Sequence, residues 1–452
     1  MENSVFNSGS VSKAYFKMAV PVVMGMVISI VYNITDTYFI SHTYNNNLIA
    51  GVSLCAPVFT LLMAIGNIFG QGGSSLISRL LGKNDTKNLH KVSSFCFYAS
   101  ILMGAIIGMI MLIFRKGFVN LLGADNNSFE YALEYFTWMA AGSPLVVLSF
   151  IHSNLLRAEG MSTQSMISTV SGSIVNIILD PILIFNLNLG ASGAAIATLC
   201  GYVFTNLYCL IIVFTKSKAL SVNPKICHIS SEFISQIFGV GTSAALSNVT
   251  QSVCVILMNQ FLKDYGTDAV AAMGIAQKVN MIVMLIIVGF SFGGAPLVGY
   301  YYGANKKNKL KKLLSFVLKF LCSTAIVLSA LMIILAPIIL KGFIKEPDML
   351  KTAAFMLRSQ VVSMVLMAII LFIQIIFQAT GKSGPALVLS LSRQGVIFVI
   401  VIFIARALLG FNGILFSQAI SDVVSVAIAL LLYKSYFGGG KLVENSNSEH
   451  EE

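Results

Sequence analysis

The chain has 452 residues, of which 56% are hydrophobic and only 10% are Asp, Glu, Lys or Arg. Soluble chains carry about 25% charged residues, so this composition excludes a string of soluble domains and implies an integral membrane protein. Lys and Arg outnumber Asp and Glu by 29 to 18, a net charge of +11, which in a membrane protein points to cytoplasmic loops and not to nucleic acid.

A polar segment at 1–12 leads into an apolar stretch that reaches about residue 40 without a small-residue cleavage site in the usual place. It reads as a first transmembrane helix, not a removable signal peptide. A span needs roughly 20 mostly apolar residues, and the apolar runs break at charged or turn-rich clusters. The predicted helices, numbered 1 to 12 in chain order, cover 13–42, 48–80, 92–114, 129–157, 163–187, 191–214, 231–262, 270–302, 311–340, 348–379, 384–409 and 411–436. A cytoplasmic linker is expected at 215–230 and a disordered tail, rich in Gly, Ser, Asn and Glu, at 437–452. The N-terminus and the even-numbered joints hold 18 Lys and Arg against 7 in the odd-numbered joints, and the positive-inside rule puts both termini in the cytoplasm. The seven cysteines are scattered, with no CxxC or Cys/His ligand spacing; they read as small apolar filler.

Sliding the chain against itself by about 220 residues brings glycine signatures into register. Gly66 to Gly70, followed by Leu-Gly-Lys-Asn at 81–84, meets Gly289 to Gly293, followed by Tyr-Gly-Ala-Asn at 302–305. Arg-Ala-Glu-Gly at 157–160 meets Gln-Ala-Thr-Gly at 378–381, and Gly190-x-x-Gly193 meets Gly410-x-x-Gly413. The chain is therefore expected to be two copies of a six-helix unit. An even helix count makes the copies parallel, as in transporters that rock two lobes around a central site. The predicted fold is all-α and membrane-integral, with an N-lobe at 13–214 and a C-lobe at 231–436 around a central cleft.

The acids well inside the spans are Asp36, Asp180 and Asp422. An ionised Asp at the bilayer centre costs about 2.5–3.5 kcal/mol even on the lenient insertion scale, so each needs a partner, a proton or a cation. Asp36 in helix 1 shares a face with Ser29, Tyr32 and Asn33. Asp180 in helix 5 follows Asn176 by one turn, and Pro181 after it frees the carbonyl of Ile177. Helix 6 offers Thr198, and helix 4 offers Ser153 and Asn154 beside His152. Asp36 and Asp180 would each hold a proton or bind a cation, H+ or Na+, and Asn176, Thr198 and the freed carbonyl are hard oxygen ligands of the kind Na+ accepts. The second copy lacks both acids and brings Gln251, Gln374 and many Met and Phe, which suit an adaptable wall. The substrate cavity is expected from Ser29, Tyr32, Asn33, Ser153, Asn154, Gln251 and Gln374. Asp422, with Gln418 and Ser425 on its face, is either a structural hydrogen-bonding group or a second polar site, and Lys278, Lys319 and Arg393 either partner it or snorkel to an interface.

The stretch Asn176 to Phe185, NIILDPILIF, and helix 1, PVVMGMVISIVYNITDTYFI, strongly resemble the multidrug and toxic compound extrusion (MATE) family. The likeness runs over roughly residues 10–436 and is greatest to the DinF-like branch. It implies a two-lobed, V-shaped fold, no cofactor, and efflux of organic cations coupled to H+ or Na+ entry. Asp36 matches the family's helix 1 acid, Asn176 and Asp180 its helix 5 pair, and Thr198 a helix 6 hydroxyl of the same first-lobe cation site. The NorM-like branch carries acids in helices 7 and 10, which here have acid-free apolar cores, so a second-lobe Na+ site of that kind is not implied. A monomer in the bacterial cytoplasmic (inner) membrane is expected, with small organic cations and the bilayer as partners. Two rivals stand beside this reading. A lipid-linked saccharide flippase would line its cavity with several Arg, whereas only Arg393 lies well inside a span. A membrane enzyme would need a motif such as HExxH or GxSxG, which is absent.

Overall fold

The structure, a computed structural model, describes residues 5–6 and 8–437. Every regular element among them is a helix, as expected for a backbone that must satisfy its own hydrogen bonds in lipid. The spans are α1 (Val11–Ser41), α2 (Asn46–Gly82), α3 (Thr86–Ile113), α4 (Phe129–Ala141 and Ser143–Ala158, bent by 54°), α5 (Ser162–Asn186), α6 (Gly190–Thr215), α7 (Ser231–Tyr265), α8 (Thr267–Gly303), α9 (Lys307–Lys341) and α10 (Pro347–Ala379). The remaining element, Ser383–Phe437, has 55 residues. At 1.5 Å per residue it would measure about 80 Å, far beyond a hydrocarbon core of about 30 Å. It is two spans. Gly410 breaks it at φ +56° and ψ −128°, and Arg393 reaches Asp422 at 2.9 Å, which residues so far apart in sequence can do only across a hairpin. Residues 383–409 are therefore α11 and 411–437 are α12.

The described residues thus hold the twelve expected spans. α3 starts at Thr86, six residues earlier than predicted, because the Asp85 side chain caps it by accepting from the backbone N–H of Asn88 at 3.1 Å. A short helix, Arg115–Leu121, stands where a loop was expected. Phe437 belongs to α12, its ring stacked on that of Phe377 with centroids 5.2 Å apart, so it is not part of a tail. The rest of the predicted tail lies outside the described residues.

Packing divides the described residues into two units, residues 5–6 with Met24–Ala245, and Ser8–Val23 with residues 246–437. The divisions fall inside α1 and α7, whereas the predicted lobe limits fall in loops. Within unit 1 the reason is local. The buried Glu159 carboxylate accepts from the Ser217 hydroxyl (2.5 Å) and the N–H groups of Lys218 (3.0 Å) and Ala219 (3.1 Å). Ser93 and Ser94 donate to the Ser221 carbonyl at 3.0 Å, and Tyr98 to that of Val222 at 2.8 Å. Burial pushes the Glu159 carboxyl above its ordinary range, and these hydrogen bonds pull the other way. The linker so strapped feeds straight into α7. There a Cβ on Gly241 would sit 2.0 Å from the Ile68 carbonyl oxygen, and one on Gly72 would sit 2.1 Å from that of Ile237. Two glycines facing each other's helix backbone seat the first part of α7 on α2.

Unit 2 holds the first part of α1 in a comparable way. A Cβ on Gly293 of α8 would lie 2.4 Å from the Ala19 backbone. The Tyr15 hydroxyl donates to the Phe290 carbonyl at 2.9 Å, and Phe16 packs edge-on against Phe320 at 5.0 Å.

The repeated signatures have a common physical basis. Each pair supplies a position of positive φ where a helix turns: Asn84 (+58°) and Asn305 (+52°), Gly160 (+92°) and Gly381 (+78°), Gly190 (+50°) and Gly410 (+56°). Such backbone favours Gly and Asn, so what recurred in the sequence is the set of turns that ends corresponding helices.

Candidate functional site

The candidate ion site lies wholly within unit 1, and close helix contact builds it. A Cβ on Gly172 of α5 would meet the Gly201 carbonyl oxygen of α6 at 2.5 Å, and one on Gly201 would meet Asn176 Cβ at 3.3 Å. At that separation short polar side chains can touch across the helix pair. Asn176, one turn after Gly172, donates through Nδ2 to Asp180 Oδ1 and to Thr198 Oγ1, both at 3.4 Å. Asn176, Asp180 and Thr198 are 2%, 0% and 6% exposed. Past Asp180 the α-helix ends at Pro181 and continues as a π-helical turn, Ile182–Asn186, a feature frequent at functional sites.

α1 completes the group. The Asp36 and Asp180 carboxyls lie within hydrogen-bonding reach of each other, and the Tyr32 hydroxyl within reach of Thr198. Asp36 Oδ1, Asn176 Oδ1 and Asp180 Oδ2 are buried without a hydrogen-bond partner. Buried polar atoms are nearly always paired. Three unmatched acceptors in one place, two on adjacent carboxyls, form a set that a proton or a hard cation would satisfy. Among the described residues no cluster of three His, Cys, Asp or Glu side chains is arranged to hold a metal ion. The oxygens and small charge of the site fit Na+ or H+ better than a transition metal.

The structure brings the four predicted ion-site residues together. Sequence reasoning missed Tyr135 of α4 and Tyr202 of α6, which stand close enough to Asp36 to feel its charge. Tyr202 follows Thr198 by one turn, so its face was readable; nothing in the sequence marked Tyr135. The predicted cavity residues are dispersed. Ser29, Tyr32, Asn33, Ser153 and Asn154 belong to unit 1, and Gln251 and Gln374 to unit 2. Ser29 and Asn33 donate back to carbonyls of their own helix, at 2.9 and 2.6 Å. Asn154 is engaged by the Phe150 carbonyl at 2.6 Å and by Arg157 at 2.9 Å, while the Ser153 carbonyl accepts from Ser165 at 2.9 Å. Gln374 spans Ser247 (3.2 Å) and Ser390 (2.9 Å). His152 is buried with its ring 5.3 Å from that of Phe97 and the Asn206 side chain beside it.

Asp422, fully buried in unit 2, has found its partner among the three candidate cations. Arg393 and Gln418 both donate to its Oδ1 at 2.9 Å, and Ser363 donates to its Oδ2 at 2.6 Å.

A family model described as MatE matches residues 21–182 and matches again at 243–404. The chain belongs to the MATE family. The double match also establishes the internal duplication, since the same model fits each half. The multidrug export protein MepA of Staphylococcus haemolyticus is 33% identical over 430 residues, 95% of each chain, and MepA of Staphylococcus aureus is 32% identical over 427 residues, 94% of each. Among solved structures, the outward-facing conformation of a multidrug resistance MATE family transporter of the MOP superfamily is 26% identical, covering 98% of this chain and 99% of that one, with a TM-score of 0.91. The chain is thus a multi-pass membrane protein with the MATE fold, in a family of transporters and not of enzymes.

Proposed function

We propose that this MATE protein is a secondary multidrug exporter that moves small, lipophilic organic cations out of the cell in exchange for H+ or Na+, by alternating access of its two lobes. The observation that carries the reading is the Asp36–Asp180 pair, inside the spans α1 and α5, with three unmatched acceptor oxygens at the site. Such a pair must be neutralised to be stable in lipid, and a group that accepts and releases a cation each cycle is what antiport requires. The relatives named for multidrug export support the direction and breadth of transport. The flippase alternative loses Arg393, the arginine midway along α11, because its guanidinium is engaged by Asp422 and is not offered to a pyrophosphate.

Reconstituted into proteoliposomes, the chain is expected to move a fluorescent lipophilic cation when a pH or Na+ gradient is imposed, the effective gradient identifying the coupling ion. Absence of movement with either gradient, in vesicles shown to contain folded protein, removes the antiporter reading.

The chain is proposed to work as a monomer in the bacterial cytoplasmic (inner) membrane with both termini inside. The excess of 18 over 7 basic residues supports that orientation. Cysteines placed at the exposed positions Asn46 and Asp348 should react with an impermeant thiol reagent added outside intact cells. Labelling only from the cytoplasmic side reverses the orientation.

A further inference from the structure

Near the middle of three spans of unit 2 lies a second, fully assembled polar group. Asp422 sits midway along α12, Arg393 midway along α11, and Ser363 at the break between the two parts of α10, Pro347–Val361 and Met364–Ala379. Irregular backbone at membrane depth is tolerated where it is buried in protein or lines a cavity. Here it does the former. Arg393 belongs to a π-helical turn, Ser392–Val396, whose Gly395 departs from helical angles (φ −112°, ψ −116°). Two carbonyls of that turn are taken by neighbouring helices: Ser421 of α12 donates to that of Arg393, and Cys254 of α7 to that of Gln394, each at 2.9 Å. The turn is thereby fixed with the guanidinium against the carboxylate, its side chain 13% exposed and that of Asp422 1%.

The contrast with unit 1 is chemical. There two carboxyls share a site with unmatched acceptors and no cationic side chain. Here one carboxylate accepts from Arg393, Gln418 and Ser363. A proton on Asp422 would break a charge-assisted hydrogen bond, and a metal cation would have to displace a tethered one.

We propose that Asp422, Ser363 and Gln418 form a second site for a monovalent cation, and that Arg393 is its resident cation, tethered to the chain and keeping H+ and Na+ off the carboxylate. The proposal deepens the antiporter reading, on which its consequence rests: only the unit 1 site exchanges ions, so Arg393 limits how many are moved per cycle. Among the described residues the titratable groups facing Asp422 are Arg393 itself and Cys254 of α7; Ser363 of α10 and Gln418 and Ser425 of α12 complete its surroundings. With the guanidinium removed, the carboxylate has no cation left and must take one from solution.

The test uses the purified full chain carrying Asp36→Asn and Asp180→Asn, so that unit 1 contributes no ion dependence and no transport is needed. Thermal unfolding is followed at constant ionic strength with Na+ or a bulky organic cation, at mildly acid and mildly alkaline pH. The background variant sets the reference response in the four conditions, since groups such as Glu159 still titrate. Adding Arg393→Gln should make the unfolding temperature rise with Na+ or with acidification beyond that reference, and adding Asp422→Asn as well should return the response to it. An Arg393→Gln protein that responds to Na+ and pH no more than the background overturns the proposal. A second measurement needs no variant to fold. A lipid-soluble carbodiimide, which attacks protonated carboxyls, should leave Asp422 unmodified in wild-type membranes, and modification of Asp422 there also overturns the proposal. Neither readout depends on efflux, so failure of this site and failure of the antiporter reading are told apart.

Discussion

Asp180→Asn is expected to insert and fold normally yet to lose gradient-driven efflux, down to the level of membranes without the protein. The fold should survive because asparagine reproduces the size and hydrogen-bonding capacity of a protonated aspartic acid. Asn176 Nδ2, now 3.4 Å from Asp180 Oδ1, can still donate to the amide oxygen. What is lost is the ability to alternate between a charged and a neutralised state. Magnitudes show why that matters. One net charge crossing 100 mV is worth about 2.3 kcal/mol, and each tenfold concentration ratio costs about 1.4 kcal/mol. Exchange of one H+ for one monovalent cation moves no net charge and draws on the pH difference alone, whereas two ions per substrate add the membrane potential. Either scheme needs a carboxylate that takes up the incoming ion and releases it as the substrate leaves. Asp180 has the better claim, being 0% exposed and bracketed by Asn176, Thr198 and the π-turn after Pro181. Asp36→Asn should act in the same direction with a smaller loss, because Asp36 is only partly buried. The measurement is efflux of a fluorescent cation from cells with variant levels matched by immunoblot, and wild-type efflux by a normally expressed Asp180→Asn chain would sink the assignment.

What could be read from the sequence follows the range of the interaction concerned. The spans were legible because bilayer thickness imposes one length on every apolar run, and the largest shift of an end, at the start of α3, comes where the Asp85 side chain caps and extends the helix. Asn176 and Asp180 were legible as a pair because four residues make one helical turn. That they would meet Asp36 and Thr198 came from resemblance; the physical cause, the Gly172–Gly201 contact, is a property of two helices together. Arg393 was one of three candidate partners for Asp422, since nothing in either helix alone sets the rotation of one against the other. The π-turn decided it. Ser29 and Asn33 were placed on the correct face of α1 but not in the correct role, because a hydroxyl or amide within a helix can bond to the carbonyl one turn before it. The division of α1 and α7 between units was illegible for a related reason. It depends on Gly72 and Gly241 for α7 and on Gly293 for α1, glycines whose neighbours lie more than 160 positions away in sequence.

Gly413→Val is expected to remove most folded protein from the membrane, and to do so far more severely than the equivalent change in the first repeat. Gly413 follows the Gly410 break by three residues, where α12 doubles back on α11. A Cβ at 413 would lie 1.9 Å from the Ala405 carbonyl oxygen and 2.3 Å from its carbon. Both are backbone atoms of α11, so no rotamer change relieves the overlap and the hairpin itself must open. Overpacking in a core that can adjust side chains costs about 1–3 kcal/mol; here rigid backbone is displaced, and the loss should exceed that range. Opening the hairpin also draws Arg393 from Asp422, leaving buried charges unpaired. At Gly193, the counterpart in α6, the same Cβ would meet the Leu183 carbonyl oxygen at 2.8 Å, a backbone clash too, but one that a smaller shift of the π-turn relieves. At Gly384 a Cβ meets nothing within 4 Å. Alanine substitutions should therefore lower the detergent unfolding temperature in the order Gly413, then Gly193, with Gly384 near wild type. Equal effects at Gly413 and Gly384 would mean that the α11–α12 hairpin is not closed as described, and the duplicated Gly-x-x-Gly signature would lose its structural meaning.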